Sequence, residues 1–426
     1  MLYLLPPLNS LNPLNSLNFL NLLNHLHMPR FLLLLCLIPF LSTTLPAQDE
    51  FKVVGYLPYY RFNYANQINF SQLTHLNIAF ANPNATGLLD VGGQDIAPIV
   101  QLAKQQNLTV LISLAGGALT DEWEAAWNYW MQPNKRSIYI HNIVEYVLGQ
   151  ELDGVDFDLE WSHVNSLYSP FVLELRDSMD AHGLLLTAAL PGTHRYPEIT
   201  DEALAAYDWV NMMAYDLTGP WAPNSPGPHS PYYFAVNAIN YWRAQGVPSE
   251  KLTLGVPFYG FDFATNPVSS FTYRTIVSQN PANAYADQVG QAYYNGIPTI
   301  QQKTELALNE VSGIMIWEIG QDAYDELSLL NAIDQVVHAT PVRQTDAQPD
   351  LVQAYPNPFG DALTIESQSD SPLELRLLSL DGRPLQQFNL PAGSQQWIST
   401  ASLTPGFYLL QVIGGHGRQV YRLLRQ

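Results

Sequence analysis

Eight short apolar runs alternate with amphipathic segments over the first three quarters of the chain. The runs span residues 53–56, 76–81, 110–114, 155–159, 184–190, 209–214, 252–258 and 313–317. Between them lie segments such as the one in which Ile140, Ile143, Val144 and Val147 share one helix face. Regular alternation of strand and helix over roughly 290 residues, 51–340, predicts a closed (β/α)8 barrel, because an open sheet usually has fewer strands.

Two stretches depart from this alternation. Residues 261–302 are too long for an ordinary connection between the seventh and eighth strands, so they predict a small inserted lobe. Residues 341–350 are polar and proline-containing, as in a linker. After them, short alternating runs at 363–366, 373–380, 395–399 and 406–412, with a turn at Asp381 and Gly382, predict a small all-β sandwich domain over residues 351–426.

The N-terminal region carries the features of a processed segment. Residues 1–27 form a Leu/Asn/Pro tract of low complexity, and we expect translation to begin at Met28. Residues 28–47 read as a signal peptide, with Arg30, an apolar stretch at 31–41 and cleavage after Ala47. The stretch is too short for a stable membrane span. The chain's single cysteine, Cys36, lies within it, so the mature protein would contain no disulfide.

Composition narrows the class of ligand. A net charge of -20 on only 13% charged residues repels nucleic acid and anionic lipid, which makes a neutral ligand easier to accommodate. Aromatic residues make up 12% of the chain, and such rings stack on the apolar faces of sugars as well as filling cores. We expect a secreted or cell-surface monomer without a membrane span.

The fourth apolar run contains a row of carboxylates. Alternation places three acids on one strand face, roughly 6.5 to 7 Å apart, and apolar residues on the other. The acids are Asp156, Asp158 and Glu160, with Asp153 just before them, and the opposite face has Val155, Phe157, Leu159 and Trp161. Crowded, partly desolvated carboxylates cannot all stay ionised, so at least one should hold a proton, as general acid catalysis requires. A solvated acidic edge or a calcium loop is the alternative, but Val, Phe and Leu favour extended backbone over a calcium loop.

Other strand ends carry candidate binding residues. Met213, Tyr215 and Asp216 follow the sixth run, and Trp317 ends the eighth. Tyr56, Phe80 and Trp221 are further candidate contacts to substrate, and each aromatic ring has core packing as its alternative. The Trp123, Trp127, Tyr129 and Trp130 cluster either lines a cleft or packs as a helix face. Serine-hydrolase elbow, zinc, phosphate-loop and Cys-x-x-Cys motifs are absent from the sequence, and we expect neither metal nor cofactor.

Residues 153–160 closely resemble the Asp-x-x-Asp-x-Asp-x-Glu signature of family 18 glycoside hydrolases, the chitinases and their relatives. Met213, Tyr215 and Asp216 resemble that family's Met-x-Tyr-Asp element, and Trp317 its final-strand tryptophan. Residues 113–117 resemble its Ser-x-Gly-Gly element, with Ala115 where the first glycine is usual. The resemblance covers about residues 51–340 and implies a TIM barrel.

The resemblance also implies a mechanism and a substrate. The 2-acetamido oxygen of the sugar would act as nucleophile, with retention of configuration. Glu160 would be the acid and base, Asp158 would hold the acetamido N–H, Asp156 would share a proton with Asp158, and Tyr215 would bind the acetamido carbonyl. Asp153, Met213, Asp216, Trp317, Tyr56, Phe80 and Trp221 would contact a β-1,4-linked N-acetylglucosamine polymer, most simply chitin. No metal or cofactor is implied.

Alternatives remain on the same barrel. One is an endo-β-N-acetylglucosaminidase directed at N-glycans or peptidoglycan, and another is a non-catalytic chitin-binding lectin, although such relatives typically lack the acid at the position of Glu160. Residues 354–359 and 403–408 resemble the C-terminal sorting domain of the type nine secretion system, which implies the secretion machinery as a partner. A carbohydrate-binding module is the alternative for that domain. Sorting is preferred because Trp397 is its only tryptophan and the sequence shows no aromatic row.

Overall fold

The computed structural model describes residues 51–338, 351–379, 383–404, 406–414 and 417–425. The predicted signal peptide with Cys36, the tract before Met28, the linker at 341–350 and the turn at 381–382 lie outside these residues.

Eight parallel strands form a closed barrel, which confirms the predicted fold class. The first thirteen strands are β1 (Lys52–Pro58), β2 (His75–Pro83), β3 (Leu89–Asp90), β4 (Thr109–Ala115), β5 (Gly154–Asp158), β6 (Leu185–Pro191), β7 (Val210–Met213), β8 (Leu252–Pro257), β9 (Tyr259–Asp262), β10 (Ser269–Thr272), β11 (Gln288–Val289), β12 (Ala292–Tyr293) and β13 (Gly313–Trp317). The barrel order is β1-β2-β4-β5-β6-β7-β8-β13, and β13 pairs with β1 to close it. All eight runs found in the sequence are barrel strands.

Nine α-helices occur in the described residues. They are α1 (Ala97–Lys104), α2 (Asp121–Trp130), α3 (Arg136–Gly149), α4 (Tyr168–Asp180), α5 (Asp201–Ala205), α6 (Tyr232–Ala244), α7 (Tyr273–Gln279), α8 (Ile297–Glu310) and α9 (Leu329–Val337). Short 3-10 helices cover Tyr59–Gln67, Phe70–Gln72, Trp161–His163, Ser249–Lys251, Pro281–Tyr285 and Ile319–Gln321. Within these residues, no helix is long and apolar enough to cross a membrane.

Strand alternation separates an apolar outer layer from a polar interior. On β5, Phe157 points outward and stacks on Tyr168 of α4, with ring centroids 5.0 Å apart. Burying such a ring contributes about 1.5 to 3 kcal/mol to folding. Asp156 and Asp158 point the other way, into the barrel, and both are buried. The apolar contacts between strands and helices therefore stabilise a scaffold that holds carboxylates in its interior.

The predicted insertion is a four-stranded antiparallel sheet with strand order β10-β9-β12-β11, accompanied by α7. It lies between the seventh and eighth barrel strands, as expected. It ends before Ile297, where α8 begins, so the last residues of the predicted range belong to the barrel's helical layer.

The C-terminal region is a small sandwich of antiparallel sheets. Its strands are β14 (Val352–Tyr355), β15 (Ala362–Ser367), β16 (Leu373–Ser379), β17 (Pro384–Leu390), β18 (Gln395–Ser399), β19 (Gly406–Gly414) and β20 (Gly417–Arg425). One sheet has the order β14-β15-β18 and the other β17-β16-β19-β20. Inward residues of both sheets, such as Leu363, Leu375 and Leu410, are fully buried in a common core. The sequence patterns missed β14, β17 and β20, because β14 is short and β17 is largely polar.

Candidate active site

A cleft of about 320 Å³ opens at the C-terminal ends of the barrel strands. In (β/α)8 barrels this end carries the catalytic residues. The residues that line it are Tyr56, Tyr59, Tyr60, Phe80, Ala115, Gly117, Ala118, Trp123, Asp158, Glu160, Trp161, Ala189, Met213, Tyr215, Asp216 and Trp317. Predicted site residues from five different strand ends therefore meet at one opening.

Glu160 lies in this cleft two residues beyond the end of β5. Burial raises the pKa of its carboxyl to about 7, and the nearby charge of Asp216 contributes in the same direction. A carboxyl with such a pKa holds a proton near neutral pH and can also release it. Its side chain lies directly against Gly117, which follows β4.

Asp156 is the deepest acid and is fully buried. Its Oδ2 accepts hydrogen bonds from the Tyr56 hydroxyl and the Ser113 hydroxyl, each at 2.7 Å. Its Oδ1 accepts from the Thr187 hydroxyl at 2.6 Å and from the Asn211 amide at 3.1 Å. Burial raises the pKa of Asp156, and these donors act against the rise. Four neutral donors therefore satisfy this carboxylate.

Asp158 is the next inward acid and lies between Asp156 and Glu160. Burial raises its pKa well above the ordinary value, and the charges of Glu160 and Asp156 raise it further. Its Oδ1 is buried and has no hydrogen-bond partner among the described residues. No hydrogen bond joins Asp156 and Asp158 in the part of the chain that the structure describes, so the predicted sharing of a proton between them stays a prediction.

Asp216 and Tyr215 follow β7 on another side of the cleft. Asp216 has a positive φ of 63°, and its Oδ1 accepts a hydrogen bond from the Tyr259 hydroxyl at 2.5 Å. The same oxygen lies 3.3 Å from Nδ1 of the buried His229. The Tyr215 hydroxyl is 3.8 Å from the sulfur of Met315 and lines the cleft. Burial raises the pKa of Tyr215, so its hydroxyl remains a hydrogen-bond donor.

An aromatic surface forms part of the cleft wall. Trp317 stacks on Phe80, with ring centroids 5.4 Å apart and an interplanar angle of 24°. Tyr56 meets the edge of Trp317 at 5.7 Å. Because Tyr56 also donates to Asp156, the aromatic surface and the buried acid are linked through one side chain.

The sequence model of glycosyl hydrolases family 18 matches residues 52–322, well over half of the 426-residue chain. This chain belongs to glycosyl hydrolase family 18. A chitinase-like glycosidase domain of this family accordingly accounts for all eight barrel strands.

Solved family 18 structures resemble the barrel closely. The GH18 chitinase ChiB from the chitin utilization locus of Flavobacterium johnsoniae is 45% identical, with a TM-score of 0.67. The match covers 68% of this chain and 94% of that one. A chitinase from Bacteroides thetaiotaomicron is 27% identical, with a TM-score of 0.60, over 68% of this chain and 97% of the other.

Curated relatives are more distant. Chitinase A1 of Niallia circulans is 27% identical over 323 residues, 54% of this chain and 46% of the relative. A chitinase-like effector of Moniliophthora roreri is 26% identical over 234 residues, 48% of this chain and 57% of the relative. The chain thus spans about half the length of these relatives.

The C-terminal sandwich matches a second family. The model of the secretion system C-terminal sorting domain covers residues 353–425. This confirms the predicted resemblance and identifies the family 18 protein as secreted or displayed at the cell surface.

One acid of the family 18 signature lies away from the cleft. Asp153, predicted to contact substrate, sits at the N-terminal end of β5, at the opposite end of the strand from Glu160. Its carboxylate pairs with Lys104 and accepts a hydrogen bond from the Val110 backbone N–H at 2.6 Å. Strand direction explains the difference, because the signature runs the length of the strand and only its last acids reach the open end.

Trp221 is also outside the residues that line the cleft. It is 59% exposed, and its ring meets the edge of Phe261 in the inserted lobe at 5.6 Å.

The aromatic cluster on α2 was predicted either to line a cleft or to pack as a helix face, and its members do both. Trp123 lines the cleft, whereas Trp127 is buried and donates its indole N–H to Asn82 at 2.8 Å.

The predicted position of Trp161 was wrong. It was predicted to pack on the apolar face of the strand, but β5 ends at Asp158 and Trp161 begins a 3-10 helix with a φ of 58°. It is 62% exposed and lines the cleft.

Sequence reasoning also missed several residues of the site. Tyr59 and Tyr60 line the cleft, and His229 and Tyr259 hold Asp216. Thr187 and Asn211 bind Asp156, and polar residues at inward positions of otherwise apolar strands were the available signal for them. No cluster of three or more His, Cys, Asp or Glu suited to a metal ion occurs in the described ranges.

Proposed function

We propose that this chain is a secreted glycoside hydrolase that cleaves β-1,4 linkages of N-acetylglucosamine polymers, with chitin as the simplest substrate. The reaction would be retaining and substrate-assisted. One observation carries the proposal: Glu160, whose pKa is raised to about 7, shares a cleft with Asp158, a buried acid whose Oδ1 has no partner among the described residues.

Glu160 supplies the proton for bond cleavage. The protonated carboxyl gives its proton to the glycosidic oxygen as the bond from that oxygen to the anomeric carbon breaks. The acetamido oxygen of the same sugar forms a new bond to the anomeric carbon, which gives a cyclic oxazolinium ion. Glu160, now ionised, takes a proton from water as the water oxygen attacks that carbon, and the bond from the carbon to the acetamido oxygen breaks, which restores the acetamido group. Two inversions leave the configuration retained.

Asp158 assists the internal nucleophile. Its buried oxygen can accept a hydrogen bond from the acetamido N–H, and its negative charge stabilises the cation that forms. Burial raises the pKa of Asp158, and the charges of Glu160 and of Asp156, which four donors satisfy, raise it further. The Tyr215 hydroxyl is a suitable donor to the acetamido carbonyl.

The aromatic surface supports sugar binding. Trp317, braced by Phe80 and Tyr56, offers a ring face in the same cleft as Glu160. Aromatic faces bury the apolar face of a pyranose. Met213 and Asp216 are further candidate contacts, because both line the cleft.

The relatives favour the same substrate class, since the 45% identical protein is a chitinase from a chitin utilization locus. The sorting domain is consistent with a polymer that must be cut outside the cell. The presence of a glutamate at position 160 favours a hydrolase over a sugar-binding lectin on the same barrel.

Substitution of Glu160 tests the proposal. Glu160→Gln should abolish cleavage of chitotetraose while leaving the melting temperature unchanged. Glu145→Gln, on an exposed face of α3, is the matched control and should cleave at the wild-type rate. An undiminished rate in Glu160→Gln would refute the assignment.

A product profile tests the substrate. The wild-type protein should release β-anomers first from chitin oligomers, as followed by proton NMR. Chitobiosyl N-glycan and peptidoglycan are tested in parallel as alternative substrates. Faster cleavage of either one would identify it, and not chitin, as the substrate. Binding of chitotetraose without turnover would identify a lectin.

A further inference from the structure

The C-terminal domain presents three side chains in register across one sheet. Tyr355 of β14 pairs with Thr364 of β15, and Thr364 pairs with Trp397 of β18. We call Tyr355, Thr364 and Trp397 the aromatic row. Residues paired in this way point to the same side of a sheet, so the two rings lie on one face, two strand spacings or about 9.5 Å apart.

The face that carries the aromatic row points away from the core of the domain. Its alternating neighbours Val352, Leu363, Ile365 and Ile398 are buried. By contrast, Trp397 is 63% exposed and Tyr355 is 40% exposed. The Tyr355 hydroxyl donates to Oε2 of Glu366 on the same face at 3.1 Å, which restrains its ring. Two large rings are therefore held at the surface instead of completing the sandwich core.

The chemistry around the aromatic row suits a neutral polysaccharide. The other outward residues of the three strands are two amides, one hydroxyl, an alanine and one carboxylate, namely Gln353, Gln395, Ser399, Ala362 and Glu366. No lysine or arginine lies on this face of the three strands, so it lacks the groups that bind phosphate or other anions. Rings separated by polar groups match alternating apolar faces and hydroxyls of a sugar chain better than the contiguous apolar centre of a protein interface.

We propose that the aromatic row binds a neutral β-1,4-linked polysaccharide, so that the sorting domain also holds the polymer near the enzyme. The two rings are far enough apart to contact different sugars of one extended chain. This inference goes beyond cleavage in the barrel and depends on the proposed function only for the choice of chitin as probe. The sequence concealed the row, because Tyr355 and Trp397 lie far apart along the chain and meet only through strand pairing.

Binding can be measured without cleavage in full-length protein that carries Glu160→Gln. In this background, Trp397→Ala and Tyr355→Ala should each weaken adsorption to crystalline chitin roughly three- to tenfold, the loss of one aromatic stacking contact. Tyr233→Ala, which removes a ring that is 58% exposed on α6, is the control and should adsorb as the parent does. Melting temperatures establish that each variant is folded.

The same substitutions in the protein with Glu160 intact should leave cleavage of soluble chitotetraose unchanged and slow cleavage of crystalline chitin. Unaltered adsorption of both row variants would overturn the proposal. So would normal adsorption combined with reduced export from the native cell, since the row would then be a contact of the secretion machinery. Adsorption to cellulose as strong as to chitin would support binding of β-1,4-linked polysaccharides in general by the aromatic row. Failure of the hydrolase proposal would appear separately, as absent turnover of the soluble substrate.

Discussion

Gly117 and Glu160 touch: a Cβ atom added to Gly117 would lie 2.3 Å from Oε1 of Glu160 and 3.1 Å from its carboxyl carbon. Gly117→Ala should therefore displace the carboxyl group without unfolding the barrel. A shift of about 1 Å in a reacting group costs on the order of 100-fold in rate, so we expect kcat on chitotetraose to fall about 100-fold.

Gly149→Ala provides the matched control, because no atom other than those of the adjoining residues and the α3 backbone lies within 4 Å of the added methyl group. It should leave kcat unchanged. Wild-type kcat in Gly117→Ala would mean that the contact does not position Glu160.

The pH dependence of kcat/KM should report the protonation of Glu160. Its pKa is raised to about 7, and the acid must be protonated, so kcat/KM should decline as pH rises through about 7. Asp216 helps to raise that pKa, so Asp216→Asn should move the decline to lower pH. Asp177→Asn, at an exposed position on α4, should leave the profile in place. A profile that Asp216→Asn does not move would contradict this coupling.

The period-two pattern of residues 153–160 predicted a strand with acids on one face, and this was confirmed for Asp156 and Asp158. The pattern could not tell how far the strand extends. Because β5 ends at Asp158, Trp161 turns into the cleft, and Asp153 remains at the far end. Similarly, Tyr259 of β9 and His229 of the connection between β7 and α6 contact Asp216 in the folded structure, and no local spacing in the sequence connects them.

Asp153 should contribute to stability and not to catalysis. Its carboxylate accepts the Val110 N–H and pairs with Lys104 at the N-terminal end of β5. Asp153→Asn should lower the free energy of unfolding by about 1 kcal/mol, the net value of a hydrogen bond, as measured by urea denaturation. KM and kcat on chitotetraose should not change. A raised KM would restore the predicted role of Asp153 in substrate binding.

Ala115 is a site where the chain departs from the family's usual glycine. Its φ is 76°, in the left-handed region that glycine adopts without steric cost. Ala115→Gly should therefore raise the free energy of unfolding by about 0.5 to 1 kcal/mol, even though glycine gains entropy in the unfolded chain. Thermal denaturation measures the change. Ala118→Gly, which also changes a residue of the cleft wall but lacks a positive φ, should not stabilise the protein.

Lys303 is a buried lysine that links the inserted lobe to the strand end that carries Tyr215. Its side chain has no exposed surface, and its Nζ donates to the Ser230 carbonyl, the Ser230 hydroxyl and the Asn295 side chain at 2.6 to 2.7 Å. The Ser230 hydroxyl in turn donates to the carbonyl of Ala214, next to Tyr215. Removal of Lys303 should therefore reduce stability and loosen the cleft.

Burial lowers the pKa of Lys303 to about 7, and the charge of Asp287 opposes this only in part. Because the unfolded chain has the higher ordinary pKa, between pH 7 and 10 it binds a proton that the folded protein does not. Lys303 therefore makes the free energy of unfolding rise with pH in this window, by up to about 1.4 kcal/mol per pH unit. Lys303→Met should lack this rise when urea denaturation is compared at pH 7 and pH 9. Tyrosines with raised pKa values affect stability only above this window, so an identical rise in wild type and Lys303→Met would show that Lys303 stays charged in the folded barrel.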